Sequence, residues 1–115
     1  GAGHTPQMPL CKIFSRRALN VSAPVLHDAL ARIWGVSATP NVLKVLSLPF
    51  HDASGSTEEV YVDIRAKAKP ERTPEVVDEA CQKTAELLSR YGHPTVVRAE
   101  LYEPSLQYSA TKDAE

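Results

Sequence analysis

The chain carries one run of signals twice, and this repetition restricts its fold more than any single motif. Residues 21–35 and 73–92 each open on a hydroxyl residue and a proline and close on a glycine. Ser22 and Thr73 suit the N-cap, where a side-chain oxygen accepts an orphan backbone N–H. Pro24 and Pro74 suit the first helical turn, where a missing N–H costs nothing. Val25, Leu26, Ala29, Leu30, Ile33 and Trp34 form an apolar stripe at helical spacing in the first stretch. Val76, Val77, Ala80, Thr84, Leu87, Leu88 and Tyr91 do the same in the second. Gly35 and Gly92 are placed to end each helix in the left-handed conformation. A proline and then a strand follow each helix, at residues 40–46 and 94–100, with Lys44 and Arg98 at the same step. Another strand precedes each helix, at residues 10–14 and 60–69.

The order is therefore β-α-β-β-α-β, an α+β chain of two β-α-β units. A helix crossing between two strands makes them parallel and the crossover right-handed. The expectation is a four-stranded mixed sheet with both helices on one face. Residues 60–69 alternate strictly, so Tyr61, Asp63, Arg65, Lys67 and Lys69 share the other face. That polar face is either solvated or turned into a wet subunit interface. Two folds share this order: the ferredoxin-like sandwich, and one whose two units lie side by side. Element order alone does not choose between them.

With 115 residues the chain is one domain by size. A net charge of −1 gives no field that calls for nucleic acid. Phe14 and Tyr61 are the only aromatics on the first and third strands, too few for base stacking. No apolar run approaches a membrane span. Cys11 and Cys81 lack metal spacing and read as buried thiols of a reducing cytoplasm. His27 reads as a surface or satisfied core residue, Trp34 as core, and His51 with Asp52 as a solvated loop pair. Ser54-Gly55-Ser56 is a turn without the spacing of a phosphate loop.

Met8-Pro9-Leu10 reads as a translation start. Residues 1–8 are then a leader, a cloning remnant plus the initiator Met, and residues 9–115 are the domain. Small Pro9 favours removal of Met8, leaving a secondary amine at the terminus. Such an amine can act as a base near neutral pH or attack a carbonyl.

A Met-Pro start opening into strand one, a duplicated β-α-β unit and this length resemble the tautomerase superfamily, in its two-unit branch like macrophage migration inhibitory factor. The resemblance covers residues 9 to about 102. It implies a homotrimer with three sheets around a central barrel and sites near subunit boundaries. It implies that Pro9 is the catalytic base in enol–keto conversion of a small 2-oxo acid, with no cofactor and no metal. Arg98 and Lys44 would hold the substrate carboxylate or enolate. Arg17 falls near an arginine that follows the family's first strand, and Lys67 and Arg72 near a basic pair after its third. Tyr102 could donate to the substrate. Trp34 stands where dehalogenase members keep a histidine, and Val36 where another branch keeps a lysine. The chemistry suits the residues: removing a proton beside a carbonyl puts negative charge on an oxygen, which a fixed cation stabilises. A second reading, from another class, is a non-catalytic ferredoxin-like module that binds a small ligand or a partner chain.

Overall fold

A computed structural model describes residues 9–114; Met8 and the rest of the expected leader lie outside the described residues. Four strands and two helices occur as β1 (Leu10–Ser15), α1 (Ala23–Ile33), β2 (Lys44–Pro49), β3 (Val60–Lys67), α2 (Pro74–Arg90) and β4 (Thr95–Tyr102). A short 3₁₀ turn, Pro104–Leu106, follows β4.

The helix boundaries follow the repeated signals. Thr73 caps α2 with its hydroxyl, which accepts the Val76 N–H at 3.3 Å. Ser22 occupies the N-cap of α1 but makes no side-chain cap bond. Both helices end in the same Schellman motif. In α1 the Gly35 N–H donates to the Arg32 carbonyl and the Val36 N–H to Ala31, at 3.2 and 3.0 Å. In α2 the Gly92 N–H donates to Ser89 and the His93 N–H to Leu88, at 2.9 and 3.1 Å. The motif needs positive φ, and Gly35 and Gly92 supply it at 65° and 85°.

The sheet order is β2-β1-β3-β4, with β1 and β2 parallel, β1 and β3 antiparallel, and β3 and β4 parallel. The strands of each β-α-β unit are thus direct neighbours. The ferredoxin-like alternative splits each unit with an intervening strand, so this topology excludes it.

Both helices pack on one face. Cys11, Ile13, Val60, Val62 and Ile64 from the sheet meet Leu26, Leu30, Ala80, Leu87 and Leu88 from the helices in one core. Burying each large aliphatic side chain stabilises the fold by about 1.5–3 kcal/mol. A polar chain beside that core is closed on itself: Trp34 Nε1 donates to Thr84 Oγ1 at 3.1 Å, and Thr84 Oγ1 donates to the Ala80 carbonyl at 2.8 Å.

Two expectations shift. The second strand begins at Lys44, not Pro40. The Thr39 carbonyl accepts the N–H of both Val42 and Leu43, at 3.1 and 3.0 Å, and this turn delays the extended chain. Lys44 therefore opens β2, whereas Arg98 is the fourth residue of β4, and the two cations are out of step. Cys11 is buried as expected, but Cys81 is only half-buried on α2; both are free thiols.

Candidate functional site

The sheet face away from the helices carries the polar residues. Register places Lys44 and Arg65 on either side of Leu10, one on β2 and one on β3. Neighbouring strands lie about 4.8 Å apart, so the two cations flank the first residue of β1 with roughly 10 Å between their Cα atoms. Over this row lies a recess of about 160 Å3 lined by Leu10, Lys44, Arg65, Tyr102 and Gln107. The Arg65 guanidinium carbon sits 5.7 Å from the centre of the Tyr102 ring, within cation–π range.

Pro9 immediately precedes this row. Its ring is fully buried on the helix side, and its carbonyl accepts the Lys44 N–H at 3.2 Å. Its nitrogen is a main-chain atom at the very end of β1. That atom is one residue along the chain from Leu10, which lines the recess. Lys44 is set in place from behind: His27 Nε2 donates to the Leu43 carbonyl at 2.8 Å, and Leu43 is buried.

The fold therefore brings Pro9, Lys44 and Tyr102 together and adds Arg65. Lys67 ends β3 opposite Tyr102, on the same face, and its carbonyl accepts from Arg72 Nη1 at 2.7 Å. Burial of the Arg72 guanidinium lowers its pKa from the usual arginine value.

Arg98 and Arg17 lie elsewhere in the same chain. Arg98 pairs with Asp63 across β3, three residues along and two strands over from Pro9, roughly 14 Å by strand geometry. Its Nη1 donates to Tyr61 Oη at 3.2 Å and its Nη2 stands 3.5 Å from Glu100 Oε1. The Tyr61 hydrogen bond, first, and then the charges of Tyr61 and Glu100 raise its pKa further. Arg17 lies past the far end of β1, where its Nε meets Glu59 Oε2 at 3.2 Å. Beside it, Arg16 organises the loop between β2 and β3. Its Nε donates to the Glu58 carbonyl at 2.8 Å and its Nη2 to Ser56 at 2.9 Å, while its guanidinium covers the Phe50 ring.

Sequence reasoning missed Arg65 and Gln107 as members of the recess. The alternation of β3 marks Arg65 as facing outward, but only the antiparallel pairing with Leu10 singles it out from Lys67. Gln107 carries no periodic signal at all. Among the described residues, no group of three or more His, Cys, Asp or Glu gathers to hold a metal ion. No helix among them is long and apolar enough to cross a membrane.

No protein-family model matches the chain, and no curated protein does. Solved structures do. A fused 4-OT wild-type symmetric trimer superposes with a TM-score of 0.65 at 14% identity, covering 88% of this chain and 91% of that one. Macrophage migration inhibitory factor from Toxoplasma gondii gives 0.55 at 16% identity, covering 90% and 97%. FG41 malonate semialdehyde decarboxylase inhibited by 3-bromopropiolate gives 0.52 at 15% identity, covering 91% of each chain. All three are tautomerase superfamily members. With two β-α-β units side by side, helices on one face and a match over nearly its whole length, the chain has the tautomerase superfamily fold.

Proposed function

We propose that the chain, once it begins at Pro9, is an isomerase that converts the enol of a small 2-oxo acid to its keto form. The observation that carries this reading is the row Lys44–Leu10–Arg65 beside Pro9. A carboxylate over Leu10 lies within reach of both cations, and arginine can hold it through two parallel hydrogen bonds. The third carbon of the acid then falls near the proline nitrogen, one residue back along β1. The free amine takes the proton from the enol oxygen as the oxygen's electron pair forms the carbonyl. The same proton passes to the third carbon, which receives the former double-bond pair. Arg65 and Tyr102 face the oxygen on which charge develops. An unperturbed α-amino group titrates at about 7.7–8.0, and two nearby cations lower that value toward neutrality.

Three chains would form the working unit, as in the fused 4-OT symmetric trimer. β4 is an edge strand, and in such a trimer Arg98 would stand at a subunit boundary and reach the Pro9 site of a neighbour. Lys67 would add to the positive field over the recess. Arg17, engaged with Glu59, would contribute from the far end of a neighbouring sheet. Two free thiols fit a reducing compartment, the cytoplasm.

The test compares the chain beginning at Pro9 with the 115-residue chain, following loss of enol absorbance. In the longer chain the Pro9 nitrogen is a tertiary amide without a usable lone pair, so conversion should fall to the solvent rate. Equal rates would remove proline as the base. An acetylenic acid such as 3-bromopropiolate, which inhibits the decarboxylase above, should label the shorter chain at Pro9 alone.

A further inference from the structure

Four of the five residues lining the recess come one from each strand: Leu10 from β1, Lys44 from β2, Arg65 from β3 and Tyr102 from β4. The fifth, Gln107, comes from the segment after the sheet. That segment folds back through the 3₁₀ turn Pro104–Leu106. The Leu106 N–H donates to the Glu103 carbonyl at 2.9 Å, and the Gln107 N–H donates to Pro104 at 3.2 Å. The turn returns the chain over the end of the sheet. The flanking Leu106 and Tyr108 stay 71% and 85% exposed, so little apolar packing holds this arm down. Its contribution to the recess is a single polar residue.

We infer that Gln107 sets the substrate class: three-carbon 2-oxo acids that carry a hydroxyl at the end remote from the carboxylate. The inference rests on the reading of Pro9 and the Lys44–Arg65 row as a 2-oxo acid site. Size supports it first. A cavity of about 150 Å3 holds one benzene ring, so a recess of about 160 Å3 takes six or seven non-hydrogen atoms. Those numbers match pyruvate or its 3-hydroxy derivative. Hydrogen-bond chemistry supports it second. The ammonium of Lys44 and the guanidinium of Arg65 only donate, and the reading above engages them with the carboxylate and the enol oxygen. The Gln107 carboxamide both donates and accepts, which is what a terminal hydroxyl requires. An apolar tail in its place would desolvate the carboxamide without repayment.

The test uses the chain beginning at Pro9, labelled with nitrogen-15 and titrated with pyruvate, 3-hydroxypyruvate and phenylpyruvate. Binding is read from amide shifts, so it does not depend on turnover. That chain has two glutamines, Gln82 and Gln107. Gln82 lines a separate groove on α2 and serves as the internal control. The expected result has the Gln107 side-chain NH2 pair move with 3-hydroxypyruvate while that of Gln82 stays still. The hydroxylated acid should bind about three- to tenfold tighter than pyruvate, the worth of one neutral hydrogen bond. Gln107→Leu should erase this difference and leave pyruvate binding within twofold, with an unchanged spectrum certifying the fold. If the Leu10 and Lys44 amides respond but Gln107 does not, or if Gln107→Leu keeps the preference, Gln107 has no part in selection and the Pro9 site stands. Silence of the whole recess toward all three acids would bring down both readings.

Discussion

Arg65 and Arg98 face the same side of the sheet but differ in what already engages them. Arg98 is held by Tyr61 and Glu100, whereas Arg65 lies over the Tyr102 ring with its edge turned to the recess. A charge-assisted hydrogen bond to a substrate contributes about 1.5–3 kcal/mol. Arg65→Ala should therefore lower kcat/KM for a 2-oxo acid enol roughly ten- to a hundredfold. Lys67→Ala, two residues further along, should change it much less, because Lys67 does not line the recess. Equal losses in the two variants would deny Arg65 a special place. The strict alternation of β3 revealed which residues face outward. It could not rank Arg65 against Lys67, because that ranking comes from a partner strand fifty residues away in the chain. The buried thiol offers a second residue-level test. Burial, and then the charge of Asp63, push the Cys11 pKa up to about 12 from 9.0. The folded state thus keeps a proton that the unfolded chain gives up. Its stabilisation is complete below about pH 9 and is lost as pH rises toward 12, by up to about 1.4 kcal/mol per unit. Urea midpoints at pH 8 and pH 11 should fall more for the wild type than for Cys11→Ala. Parallel declines would mean that Cys11 has the same pKa in both states.

The two helices share one grammar but use it unequally at their starts. Thr73 spends its hydroxyl on the Val76 N–H, while Ser22 makes no such bond. Thr73→Ala should cost about 1 kcal/mol, the usual worth of a cap, and Ser22→Ala a small fraction of that. Thermal unfolding of both variants decides it, and a larger loss at Ser22 would show that the cap residues were wrongly ranked. The helices were legible because their caps, stripes and terminal glycines are local signals. β2 was not legible to the same degree. Pro40 imitates Pro94, yet the Thr39 turn intervenes and moves the strand start four residues along. Element order narrowed the strand order to two arrangements and no further, since strand order records which edges meet and not which residues follow one another.

Two features of the whole molecule point outward from a single chain. β2 and β4 are bare edges, and the face between them leaves Leu46 and Val96 39% and 38% exposed. A trimer with the sheets turned inward would cover that face, so sedimentation equilibrium should give three chains of 12.6 kDa. A monomer or dimer at micromolar concentration would reject this assembly. If Arg98 serves a neighbour's Pro9, Arg98→Ala chains refolded together with Pro9→Ala chains should recover part of the rate that each lacks alone. No recovery would confine the site to one chain. The antiparallel meeting of β1 and β3 makes the two β-α-β units near mates, but it gives them unequal endowments. The unit that starts at β3 begins in mid-chain: the Val60 nitrogen is joined to Glu59 and donates to the Pro94 carbonyl at 3.1 Å. Removal of an initiator methionine cannot turn that nitrogen into an amine. If Pro9 is the reagent, the second unit repeats the scaffold without it, and titration with a proline-directed label should saturate at a single equivalent per polypeptide.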